Sequence, residues 1–124
     1  MKFAVLALIA CLPAAAIAGQ ADQKEAHSHA LGSVDFKNSG NNAAQPAFQR
    51  GVALLHNFEY EDAAGAFREA QKADASLALA YWLEAFTYSH VVWSEEKVEA
   101  SRAVLNRLAP TAEARLAKAK TERS

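Results

Sequence analysis

Cysteine is almost missing from this 124-residue chain: there is one, Cys11. It lies inside an N-terminal apolar run, so a chain cut after that run has none. Disulfides, thiol catalysis and Cys-ligated zinc are thereby excluded for the processed form. An excess of charge of one sign is also absent, with 13 basic against 14 acidic side chains, which excludes a polybasic nucleic-acid binder on bulk electrostatics. No apolar run reaches the roughly 20 residues of a membrane-spanning helix. The chain has no Gly-rich phosphate loop, no nucleophile elbow, no HExxH and no paired carboxylates in a recognisable frame, so an enzyme is not the expectation. Nor does any window sustain the alternation of a half-buried strand.

What is there is alanine, 30 residues of it, in a chain that is 52% apolar. That content is too apolar for a wholly disordered polypeptide, and alanine favours helix while burying little area. The composition predicts a small all-α domain with thin packing.

Lys2 precedes an unbroken apolar stretch from Phe3 to Ala18 that ends Ala16-Ile17-Ala18. One positive residue, a short apolar core and small residues at alternate positions make a secretory signal peptide, residues 1–18, cut after Ala18. A periplasmic or secreted location follows, with membrane contact only through this segment. Leu8-Ile9-Ala10-Cys11 resembles a lipoprotein box, but its apolar stretch is short for that use. Cleavage leaves 12 basic and 14 acidic residues.

Residues 19–43 are polar, broken by Gly32, Gly40 and Asn41-Asn42, and are expected to form a mobile leader. Leu31, Val34 and Phe36 are its only large apolar residues, and that short piece could dock on the domain. His27 and His29 form an HxH pair, which chelates a metal weakly without a third ligand.

Helical spacing begins near Pro46, with Phe48, Val52 and Leu55 on one face and Ala47, Gly51 and Leu54 beside it. A second helix is expected from about Glu61 to Lys72, with Ala63, Phe67 and Ala70 inward. A third runs from about Leu77 to Val92 and is apolar nearly all round, which requires packed neighbours on several sides. Ser94 is the expected cap of a fourth, with Glu95 and Glu96 in its first turn and Val98, Ser101, Leu105 and Leu108 inward. Pro110 stops it, and Thr111 caps a polar fifth segment.

Shifted by 34 residues, the chain pairs Phe48 with Trp82, Gly51 with Ala85, Val52 with Phe86 and His56 with His90. Two helices per 34 residues is the period of tetratricopeptide repeats. Gly51, Leu54, Ala63, Phe67 and Ala70 fit the repeat's small and large places, giving a first pair over 44–77. A second, degenerate pair spans 78–110, and a polar C-terminal helix over 111–124 has the look of a truncated further unit. Arg50-Gly51-Val52-Ala53-Leu54-Leu55-His56-Asn57-Phe58, Ala80-Tyr81-Trp82-Leu83-Glu84-Ala85, and His90 with Trp93 resemble the N-terminal portion of a family of secreted bacterial tetratricopeptide proteins. Leu83 and Val91 depart from its pattern.

The resemblance implies an α-solenoid fragment that binds a protein or peptide without catalysis. Its partner-binding groove would use Phe48, Val52, His56, Trp82, Phe86 and His90. For the aromatics the other reading is simple core. For His56 and His90 it is a small helical metal- or ligand-binding protein, which would need a third ligand. No cofactor is expected. So short an array should leave a flank of the fourth helix open around Val98, Val104, Leu105 and Leu108, favouring self-association.

Overall fold

The computed structural model describes residues 31–90 and 95–119. The signal peptide, Cys11, His27, His29 and Trp93 lie outside the described residues. The described chain is mostly helical: α1 (Gln45–His56), α2 (Tyr60–Ala73), α3 (Ala78–Phe86), α4 (Val98–Leu108) and α5 (Ala112–Ala119). A short antiparallel pair, β1 (Ser89–His90) with β2 (Glu95–Glu96), stands between α3 and α4. Helix α1 packs on α2, α2 on α3 and α3 on α4, while α3 also touches α5.

Pro46 sits in the first turn of α1, where a missing N–H costs nothing. The Asn41 side chain accepts from the Ala44 N–H at 3.0 Å and so ties down the turn that leads in. At the other end, Glu59 N–H returns to Leu54 C=O at 3.0 Å and Phe58 N–H to Leu55 C=O at 3.1 Å. These are the two bonds of a Schellman stop, with Phe58 at φ 62° in the left-handed place usually given to glycine. Helix α2 carries Glu61 and Asp62 in its first turn and Lys72 in its last, matching the helix dipole at both ends.

The main core joins Phe48, Val52 and Leu54 of α1 to Ala63, Ala66, Phe67 and Ala70 of α2, with Leu77, Ala80 and Leu83 closing it from the α3 side. The rings of Phe48 and Phe67 meet edge to face at 5.9 Å. Gly51 is small because of Phe67: a Cβ added there would lie 2.7 Å from that ring. A second cluster of Ala78, Tyr81, Ala85, Val104 and Leu108 fastens α3 to α4.

Four expectations change. Helix α3 ends at Phe86, not Val92: Thr87 bonds its hydroxyl back to Glu84 C=O at 2.7 Å, and Tyr88 C=O takes the Lys97 N–H at 3.0 Å. Glu95 and Glu96 therefore do not start α4. They pair with His90 and Ser89, and α4 begins at Val98, which is exposed rather than inward. The flank of α4 is open only at Val98, since Val104 and Leu108 are buried in the second cluster and Leu105 packs against it.

The fourth change concerns residues 31–43. Leu31, Val34 and Phe36 pack on the main core, as their apolarity suggested. The rest is latched rather than loose. Gln49 gives its amide to both peptide groups of Phe36, accepting from N–H and donating to C=O, each at 2.9 Å. Asn38 and Gln45 exchange a pair of side-chain bonds at 3.0 and 2.9 Å. Asp74 accepts from Asn41 N–H at 2.9 Å with one oxygen, and from Ser76 N–H and hydroxyl at 3.0 and 2.6 Å with the other.

The Ser76 hydroxyl, and after it the Asn41 N–H, hold the Asp74 carboxyl below its ordinary 3.8. A lowered folded value means that its contribution is complete above about pH 4 and is lost as pH falls through that lower value. Stability measured in urea should therefore drop from pH 4 to pH 2 more steeply in the parent than in Asp74→Ala. At Gly51, alanine brings about 1 kcal/mol of helix propensity, but Phe67 is fully buried and cannot retreat. Overpacking of about 1–3 kcal/mol wins, so Gly51→Ala should lower the urea midpoint.

Candidate functional site

Helix α3 is short and almost every side of it is taken. Ala80 and Glu84 face α2; Ala78, Tyr81 and Ala85 face α4; Leu83 enters the main core. What remains is the side carrying Trp82 and Phe86, one turn apart. Trp82 is 55% and Phe86 43% exposed, and their rings stack at 5.8 Å with 14° between planes. A soluble surface seldom holds two large aromatic rings side by side in water without a use for them.

The other expected groove residues separate from this pair. Phe48 and Val52 are buried, at 0% and 2% exposure, so neither side chain is open at the surface while residues 31–41 are in place. Both belong to the α1–α2 core, with the Phe67 ring 5.9 Å from Phe48, and the strap of residues 31–41 adds its Phe36 ring at 6.0 Å from Phe48. His56 and His90 do not hold equivalent helical positions. His56 is the last residue of α1, with Nδ1 2.8 Å from Val52 C=O. His90 belongs to β1, stacks on Tyr60 at 4.4 Å and brings Nε2 to 2.8 Å from Thr87 C=O. Among the described residues no three of His, Cys, Asp or Glu gather as metal ligands would.

The polar centre of the molecule was not among the expected residues. Glu84 is 1% exposed, on the side of α3 that faces α2. Arg68 of α2 donates to one carboxylate oxygen at 3.2 Å, and Gln71 donates to the other at 2.6 Å. Arg107 of α4 also bonds that second oxygen and donates to the Gln71 carbonyl at 3.2 Å. Gln71 further donates to Ala80 C=O at 3.2 Å. The legible signal was a lone acid on a helix expected to be covered all round, because a carboxylate stays buried only when paired.

Arg68 also reaches the Tyr88 hydroxyl at 3.4 Å and lines an open cleft of about 420 Å³ with Tyr60, Tyr88, His90 and Lys97. Glu61 and Asp62 stand on the same cleft, so it offers both signs of charge and selects neither.

Compared with family models, curated proteins and solved structures, the chain matches none.

Breaking a buried ion pair costs about 3–5 kcal/mol when the remaining charge is trapped. Here Arg68 and Arg107 are nearly half exposed and can turn to water. Glu84→Ala should therefore cost less, about 1–3 kcal/mol, read as a lower urea midpoint. Glu84→Leu, which refills the volume, should lose less than Glu84→Ala.

Proposed function

We propose that this chain is a non-catalytic scaffold of the bacterial envelope that binds a protein or peptide on tetratricopeptide-like helix pairs. The observation that carries the reading is the stacked, exposed Trp82–Phe86 pair. Large flat side chains supply much contact area for little lost conformational entropy, which is why such groups anchor interfaces. The 34-residue shift supports the same reading. It pairs Phe48 and Val52 of α1, which are sealed, with Trp82 and Phe86 of α3, which are open. The envelope location rests on the apolar run at Phe3–Ala18 and the small residues that end it.

The stretch Ala112–Ala119 fits the same frame. A further shift of 34 from Trp82 falls on Leu116, the large exposed apolar residue of α5. The first helices of successive pairs would then be α1, α3 and α5, and the contact between α3 and α5 agrees with such an order.

The test is selection of binding peptides from a random display library against the purified chain beginning at Gly19. Peptides of one recurring pattern should be enriched. Trp82→Ala should weaken the selected peptide at least tenfold, about 1.4 kcal/mol, while circular dichroism and melting stay close to the parent because the ring is exposed. An empty selection, or binding indifferent to Trp82→Ala and Phe86→Ala, would end the proposal.

A further inference from the structure

The strap over α1 has the form of a bound peptide. It runs antiparallel to the helix, since Phe36 meets Gln49 and Asn38 meets Gln45, nearer the helix start. Its polar contacts to α1 fall on backbone and amide groups. Gln49 takes the N–H and the C=O of Phe36, and Gln45 donates to Gly40 C=O at 2.8 Å. Every residue except proline offers those two backbone groups, so the face accepts an extended segment with little regard to sequence. Two side chains are read as well: Phe36, which meets Phe48 at 6.0 Å, and Asn38, which exchanges two amide bonds with Gln45. Nor does the strap fill its seat: an open groove of about 260 Å³ remains between Leu31–Val34 and the Gln49, Arg50 and Ala53 positions of α1.

We propose that residues 31–41 are a built-in occupant of a peptide-reading face on α1, and that an extended partner segment carrying one aromatic residue displaces them. The inference deepens the peptide-binding role and rests on it, at a face distinct from Trp82 and Phe86. The partner's aromatic residue takes the place of Phe36 against Phe48, and its peptide group takes both ends of the Gln49 amide. The outward residues of the strap, Ser33, Asp35 and Lys37, are exposed and make no demand on the replacement.

The probe is a fluorescein-labelled synthetic peptide of residues 31–41, titrated by anisotropy into the full chain beginning at Gly19. The Phe36→Ala chain, whose own strap is weakened, should bind it at least tenfold more tightly than the parent chain does. Gln49→Ala in that background should remove the gain, and so should a peptide N-methylated at Phe36, which keeps the ring but lacks the N–H that Gln49 accepts. Absence of binding to a folded Phe36→Ala chain overturns the inference, as does binding indifferent to Gln49→Ala. Binding lost in Trp82→Ala but kept in Gln49→Ala places the peptide on α3, which overturns this inference and leaves the scaffold reading standing. Hydrogen exchange on the parent chain gives a second measurement free of mutations. The Phe36 amide should exchange at least tenfold faster than the Val52 amide, reporting a strap that lifts while α1 stays folded. Equal protection of the two would mean that the strap leaves only on global unfolding, and displacement would be excluded.

Discussion

A carboxylate placed inside a small helical protein must be answered from every side, and Glu84 is answered from two helices. Arg68 and Gln71 come from α2 and Arg107 from α4, so one buried group on α3 fixes the spacing of three helices. Alanine-rich helices slide and rotate on one another easily, because small side chains leave shallow ridges and grooves. Directional bonds to a fixed carboxylate remove that freedom. Such a knot adds less to net stability than its number of bonds suggests, since desolvation offsets much of the attraction. Its larger effect is on register: rotating α2 or α4 by one residue would strand the carboxylate.

The aromatic face of α3 depends on that register. With Ala80 and Glu84 turned to α2, and Tyr81 and Ala85 turned to α4, the remaining side of the helix is the one bearing Trp82 and Phe86. On α1 the matching flank is roofed by Phe36 and the Gln49 latch. Helices α1 and α3 thus present an aromatic flank in two states, covered and open.

Much of this was legible in the residues themselves. The Phe48–Val52 stripe, the inward Ala63, Phe67 and Ala70, and a second helix starting near Glu61 follow from apolar spacing. Gly51 fitted a place reserved for a small residue, and the group that keeps it small is the Phe67 ring of the neighbouring α2. The end of α3 was not legible, because the apolar pattern runs on through Tyr88 while the backbone of residues 88–90 pairs with 95–97, a tertiary choice that periodicity cannot see. The strap was half legible. Its three apolar residues announced docking, but Gln45, Gln49 and Asn38 look like ordinary surface amides until the chain folds back over them. Arg107 was hidden for the same reason, since the sequence does not show which of several arginines will meet Glu84.

Helix α5 is attached in a different way from the rest. It has no buried residue. Besides its contact with α3, it is held by the Lys118 ammonium, 2.5 Å from Leu108 C=O, and the Arg115 guanidinium, 2.8 Å from Ala109 C=O and 2.7 Å from Asn106. These cations sit on the carbonyl end of α4, where the helix dipole is negative. Attraction of this kind is screened within about 8 Å at physiological ionic strength and fades further as salt rises, whereas burial of apolar surface is strengthened by excluded salts such as sulfate. The protein therefore has two parts that answer salt in opposite directions: a core that tightens, and a terminal helix whose grip on α4 loosens.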